Sequence, residues 1–243
     1  MDKGLLVLGG SSDIARSTAR EFAERGFDLV LAGRNTRELK KDCDDFTVRY
    51  GIRAEVRELD ILNTDPDDFF SDEESVPAYT LFAIGELGSQ ETDQQNSDRI
   101  RQILDVNFSA SVPFLEKIAG IYENRKQGSL MVIGSVAGDR GRSSNYLYGS
   151  AKAGLEAWAS GARNRLAKSG AHVLTIKPGF VKTSMTENLE LPGALTVSPE
   201  RVAKSVFRAC MKKKNVVYIP WFWWGIMGII KNIPERVFKK LSL

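Results

Sequence analysis

The sequence predicts an α/β fold: a single doubly wound parallel sheet with helices on both faces, followed by an apolar C-terminal helical tail. Three observations predict it. Short apolar runs alternate with amphipathic stretches of helix length. The runs are continuously apolar, as strands covered on both faces must be. No repeat, low-complexity linker or composition break interrupts the pattern before about residue 211, and 243 residues suit one large core.

The elements follow in order. Gly4–Gly9 (GLLVLG) is an apolar run that ends in glycine, and Ile14–Arg25 has helical periodicity. Asp28–Ala32 is the next apolar run, before the charged helix Thr36–Tyr50. Ala54–Leu59 and Tyr79–Ile84 read as further strands, separated by acidic turns at Asp65–Glu74 that lack the spacing of a calcium loop. A long helical region covers Ser97–Arg125. Ser129–Ile133, a helix over Tyr148–Ala167, Ala171–Ile176, a helix over Pro199–Met211 and a short strand Val216–Ile219 complete the pattern.

Composition narrows the function. The chain is 42% hydrophobic and 27% charged, ordinary globular usage. Its net charge of +3 is too small for nucleic-acid binding through bulk charge. Cys43 and Cys210 are isolated, which argues against a disulfide framework and a zinc site and fits a reducing, cytoplasmic compartment. The single histidine, His172, reads as structural, and no metal site is expected. Met-Asp-Lys runs straight into a strand, so no secretory leader is expected, and no segment is long and apolar enough to span a bilayer.

In such sheets ligands bind beyond the carboxyl ends of the strands. The first strand ends in Gly9-Gly10-Ser11-Ser12-Asp13-Ile14, a glycine turn that opens a helix. Its free backbone N–H groups suit a pyrophosphate, with Ser11 and Ser12 as added hydroxyl donors. The second strand ends in Gly33-Arg34, where NAD enzymes of this architecture carry a carboxylate. Arg34 can instead pair with a 2′-phosphate, which points to NADP, with NAD as the alternative. Asp60, after the third strand, is placed either to accept from an adenine amino group or to cap its own turn.

Tyr148 and Lys152 lie four residues apart on one helix face, and Ser135 lies thirteen residues before Tyr148, just past a strand. An ammonium beside a phenol favours the phenolate, and a phenol near its pKa can exchange a proton with a carbonyl oxygen. Spacing alone does not select this pair. With six tyrosines and 16 lysines, about 0.4 such pairs arise by chance. Tyr122 and Lys126, with Ser109 thirteen residues earlier, match equally. Context separates them: Ser109 lies inside a helix, and Tyr122 sits at the end of the sheet away from ligands.

With these residues in place, the chain resembles the short-chain dehydrogenase/reductases to about residue 220. The matching pieces are Gly9-x-x-x-Asp13-Ile14-Ala15, Asp60, Gly85, Asn107, Ser135, Tyr148/Lys152 and Pro178-Gly179. The resemblance implies a Rossmann-like catalytic domain over 1–220, NAD(P) binding and interconversion of a carbonyl and an alcohol. It gives catalytic roles to Ser135, Tyr148 and Lys152, and has Asn107 hold a proton-relay water. It places Ile61, Gly85, Pro178, Gly179, Val181 and Thr183 around the cofactor. Asp13 and Ala15 stand where the family has glycines, and Phe82-Ala83-Ile84-Gly85 replaces its usual Asn-Asn-Ala-Gly. Asp13 either brings a negative charge near the pyrophosphate or turns outward and caps the first helix.

More narrowly, Ile133–Arg140, Tyr148–Leu155, Lys177-Pro-Gly179 and Ile233–Leu241 are similar to the membrane-linked reductases of a decaprenylphosphoryl keto-pentose. The tail, 221–243, is a Trp-rich apolar segment flanked by lysines. It fits either a contact with the inner face of a membrane or a surface packed on the domain or on a second subunit. A homodimer or homotetramer is expected. The substrate is a lipid-linked or other lipophilic ketone, or a soluble sugar or acyl compound. A dinucleotide-binding sensor without turnover is the competing class. The segment Phe180–Val197 reads as the substrate lid.

Overall fold

The structure is a computed structural model, and it describes residues 3–187 and 189–241. The ends of the 1–220 and 221–243 segments, and Asn188 within the expected lid, lie outside the described residues. The strands are β1 (Gly4–Leu8), β2 (Asp28–Gly33), β3 (Ala54–Glu58), β4 (Tyr79–Phe82), β5 (Ser129–Ile133), β6 (His172–Pro178), β7 (Phe180–Val181), β8 (Thr196–Val197) and β9 (Val216–Ile219). The helices are α1 (Asp13–Ala23), α2 (Thr36–Tyr50), α3 (Pro66–Phe69), α4 (Gln90–Asp93), α5 (Ser97–Leu104), α6 (Ser111–Arg125), α7 (Tyr146–Leu166), α8 (Pro199–Met211), α9 (Trp223–Asn232) and α10 (Glu235–Phe238).

Seven strands form one all-parallel sheet in the order β3-β2-β1-β4-β5-β6-β9. The chain reverses its direction of winding between β1 and β4, and a crevice opens there past the strand ends. Alternate side chains supply two cores. Leu5, Val7, Leu29 and Leu31 face α1, α2 and α8 in one. Leu6, Leu8, Val30 and Val132 face α6 and α7 in the other. Each fully buried aliphatic side chain contributes about 1.5–3 kcal/mol.

Local signals set the helix starts. Ser12 Oγ accepts from Ala15 N at 3.1 Å and caps α1. Asn35 and Ser198 cap α2 and α8 in the same way, and Asp65 caps α3 within the acidic turn. The helical region expected over Ser97–Arg125 is broken by a π-helical turn at Asp105–Ser109, which carries Asn107. A π turn adds one residue and rotates its side chains off the helix face, a placement common at functional sites.

One face of the tail packs on the domain and the other is exposed. Trp223 and Met227 on α9 are buried against Val136, Phe180 and Tyr218. Arg140 donates to Ile230 O (2.6 Å) and Ile233 O (2.7 Å), pairs with Glu235 (2.9 Å) and stacks on Phe238, tying α9 and α10 to the domain. On the outer side Trp221, Trp224 and Ile229 remain 78%, 71% and 71% exposed. No helix among the described residues is long and apolar enough to cross a membrane.

Candidate active site

The crevice is a cavity of about 650 Å³ at the carboxyl ends of β1, β2, β4, β5 and β6. Every site residue singled out in the sequence lines it except Asn107, which lies directly behind Gly85. A Cβ on Gly85 would stand 2.9 Å from Asn107 Oδ1 and 3.1 Å from Lys152 Nζ. Asn107 is fully buried, donates to Glu86 O (2.7 Å) and Ile103 O (2.8 Å), and accepts from Glu86 N (3.2 Å).

The cradle at the β1 end suits a dinucleotide. Gly9 has φ +87°, and a Cβ there would press within 2.9 Å of the Ala83–Ile84 backbone, so only glycine lets the turn pass this close to β4. The N-terminus of α1 opens into the same cavity. Arg34 lines the end nearest β2, beside Gly33. No group there competes with a phosphate for the Arg34 guanidinium through an ion pair among the described residues.

The capping role for Asp13 is corrected, and Asp60 makes the turn contacts that were one of its two alternatives. Asp13 does not cap α1, because Ser12 already does. The Asp13 carboxylate instead accepts from Ser184 N (2.7 Å) and Ser184 Oγ (2.9 Å), linking the first helix turn to the 180–187 segment. Asp60 lines the cavity, but its carboxylate is held by its own turn through Leu62 N (3.2 Å) and Asn63 Nδ2 (2.8 Å), which lowers its pKa.

Ser135, Tyr148 and Lys152 meet beyond β5. Tyr148 hydrogen-bonds Ser135, yet burial pushes its phenol up to about 12. Lys152 is buried, donates to Ile133 O at 3.1 Å, and lies 5.7 Å from the centre of the Tyr148 ring. Burial pushes its ammonium down to about 8. The lowered phenol expected from the Tyr148–Lys152 spacing is therefore not found. The lysine faces the ring and backbone carbonyls, and burial sets the direction of the phenol's shift. Tyr148 therefore stays a phenol.

The alternative pair is structural. Tyr122 is fully buried, with its hydroxyl 2.7 Å from Thr80 Oγ1 and donating to Pro77 O at 2.7 Å. Lys126 ends α6 in the left-handed conformation (φ 56°). His172 is held between Ser129 Oγ and Lys214 O, both at 2.8 Å.

Sequence reasoning missed a buried ionic cluster under Ser135. Glu156 accepts from Ser135 N (2.9 Å) and pairs with Lys177 (2.7 Å), which also binds Asp139 (2.6 Å). Tyr218 donates to Asp139 at 2.8 Å. Glu156 follows Lys152 by four residues on α7, a helix-face signal available in the sequence. It missed Arg142 and Asn145 as well, which line the cavity just before α7.

Comparison with known proteins decides the family. The family model described as short chain dehydrogenase matches residues 81–192. An uncharacterized oxidoreductase of Mycobacterium tuberculosis is 33% identical over 98% of this chain and 96% of its own length. This chain belongs to the short-chain dehydrogenase family. The dehydrogenase is an oxidoreductase of that family, and it is also similar to bovine 3-oxoacyl-[acyl-carrier-protein] reductase, 27% identical over 78% of this chain and 80% of that protein. Among solved structures, a short-chain dehydrogenase from Sphingobium yanoikuyae in complex with NADPH superposes with a TM-score of 0.80 at 20% identity, covering 96% of this chain and 97% of that one. A 7beta-hydroxysteroid dehydrogenase superposes with a TM-score of 0.82 at 17% identity, covering 100% and 99%. At these identities the superpositions establish the Rossmann-like fold.

Proposed function

We propose that the dehydrogenase interconverts a ketone and a secondary alcohol with NADP(H), with NAD as the weaker alternative. The observation that carries this reading is the convergence of Ser135, Tyr148 and Lys152 in one cavity with Arg34, where β2 ends in Gly33 and not in a carboxylate. Gly9, Ser11, Ser12 and the backbone N–H groups of Asp13 and Ile14 would hold the pyrophosphate side of the cofactor, Arg34 the 2′-phosphate, and Asp60 and Ile61 the adenine. Gly85, Pro178, Gly179, Val181 and Thr183 would flank its nicotinamide half. When bound, the nicotinamide supplies or accepts the hydride.

The chain's own residues handle the proton. Ser135 and Tyr148 donate hydrogen bonds to the carbonyl oxygen. Tyr148 gives that oxygen its proton during reduction and takes it back during oxidation. Lys152, as an ammonium, stabilises the phenolate left behind. Asn107, beside Lys152, holds the relay that returns a proton. Purified enzyme mixed with NADPH and a panel of ketones tests the reading. Oxidation of NADPH that depends on ketone and disappears in Tyr148→Phe supports it, whereas cofactor binding without turnover on any ketone favours the sensor.

The substrate is read as a lipophilic or lipid-linked ketone, and 221–241 as the contact with a membrane face. The exposed Trp221, Trp224 and Ile229 beside Lys231, Lys239 and Lys240 support this, as does the motif likeness to reductases of a decaprenylphosphoryl keto-pentose. The same exposed face supports a second reading, a homodimer or homotetramer acting on a soluble substrate. Co-sedimentation with anionic liposomes distinguishes the two from a shift in oligomeric mass.

A further inference from the structure

Buried polar groups nearly always find partners, so an unpartnered donor and acceptor on one turn at a cavity point to a ligand. Such a pair lies at the substrate end. Arg142 and Asn145 are the first and last residues of one tight turn, closed by Asn145 N donating to Arg142 O at 3.1 Å, which holds the two residues together. Both line the cavity that also holds Ser135 and Tyr148. Arg142 Nε and Asn145 Oδ1 are buried and have no hydrogen-bond partner among the described residues.

Each residue departs from its ordinary role. Asn145 is the N-cap of α7, where an Asn side chain normally accepts from a first-turn N–H, yet it makes no cap hydrogen bond. Arg142 has no carboxylate within ion-pair distance among the described residues. The acidic group acting on it is Asp139, whose carboxylate is already held by Lys177 and Tyr218. Glu86, across the cavity, is held by Arg99 (2.5 Å) and Gln102 (2.8 Å). Burial without a counter-ion pushes the Arg142 guanidinium below its ordinary value. An anion would relieve that cost, and a hydroxyl beside it would use Asn145 Oδ1.

We infer that Arg142 and Asn145 form a substrate subsite for an anionic, hydroxylated carbonyl compound, with Arg142 taking phosphate or carboxylate oxygens and Asn145 accepting from a neighbouring hydroxyl. This inference rests on the proposed ketone–alcohol chemistry of the same cavity. It names the substrate class that reading leaves open. Arg142 acts on binding and orientation, while Tyr148 and Ser135 act on the reacting oxygen.

The test is calorimetric and needs no turnover. Glycerol 3-phosphate and glycerol are titrated into the enzyme saturated with NADP, so that the cofactor already occupies the Arg34 end. Wild type is expected to bind glycerol 3-phosphate at least tenfold more tightly than glycerol. Arg142→Gln should bring that ratio to within about twofold while still binding NADP. Arg142→Lys, which keeps the charge and loses the fork, should retain several-fold discrimination and guards against a folding failure of the first variant. Oleoyl lysophosphatidic acid, below its micelle concentration, separates the two sources of such a headgroup. Tighter binding than glycerol 3-phosphate indicates a lipid-borne anion, and equal or weaker binding a free one. A wild type that does not discriminate, or an Arg142→Gln that still does, overturns the subsite. Arg142-dependent binding with no ketone reduced would leave the subsite standing and remove the proposed reaction. Ketone reduction without Arg142-dependent discrimination would do the reverse.

Discussion

Neutralising Lys152, by pH or by mutation, is expected to slow carbonyl reduction by about two orders of magnitude. When Tyr148 gives up its proton, a negative charge develops on the ring. The Lys152 ammonium lies 5.7 Å from the ring centre. At that distance, with an effective dielectric of about 20, one unit charge contributes about 3 kcal/mol. That corresponds to roughly a hundredfold in rate. The pH at which the effect appears follows from burial. Burial disfavours the charged form of a lysine, so its pKa falls, to about 8. The ammonium is therefore present below about 8 and lost above it. Tyr148, pushed up to about 12, stays a phenol throughout that range, so the lysine is the one of the pair that titrates. Single-turnover reduction at saturating NADPH, measured from about pH 6 to pH 10, isolates the chemical step. The rate should be level at the acid end, fall around pH 8, and approach a floor about a hundredfold lower. Lys152→Met should sit at that floor with no step. A wild-type rate that stays level to pH 10, or a Lys152→Met rate within threefold of wild type at pH 7, would refute the reasoning.

Further expectations concern other residues. Tyr148→Phe should lose turnover by about two to four orders of magnitude with NADPH affinity retained, whereas Tyr122→Phe should leave kcat within twofold. The Tyr122 change should cost about 1–3 kcal/mol in denaturant unfolding, because Thr80 Oγ1 and Pro77 O lose their partner in the core. Arg34→Ala should raise the KM for NADPH about tenfold or more and leave that for NADH nearly unaltered, since only the former carries a 2′-phosphate. In the tail, changing exposed Trp221, Trp224 and Ile229 to Ser should abolish liposome co-sedimentation without lowering Tm. Trp223→Ala should instead lower stability by about 3–5 kcal/mol, because that indole fills a gap against Phe180 and Val136.

The parallel sheet was legible because strands covered on both faces must be apolar throughout, and periodicity exposes that directly. Ser129–Ile133, Thr36–Tyr50, Pro199–Met211 and Val216–Ile219 coincide with β5, α2, α8 and β9. The strand-end rule also sorted Tyr148 from Tyr122, two residues that spacing could not separate. Gly9 and Arg34 were legible for the same reason: residues at a strand's carboxyl end are local in sequence and face one crevice.

What the tertiary structure decided are the contacts between distant segments. The sequence places Asp13 at a helix start, but Ser184, 171 residues away, determines where its carboxylate turns. A four-residue spacing puts Lys152 and Tyr148 on one face, but only packing decides that Ile133 O takes the ammonium and that burial raises the phenol. The tail's hydrophobicity is plain in the sequence, yet which side meets Phe180 and Val136 and which stays exposed depends on how α9 docks. Arg142 Nε is left without a hydrogen-bond partner among the described residues, while Lys177 and Tyr218, from β6 and β9, hold Asp139. Periodicity reports each element's own burial, whereas pairing, desolvation and unspent hydrogen bonds are properties of neighbours that the chain brings together only on folding.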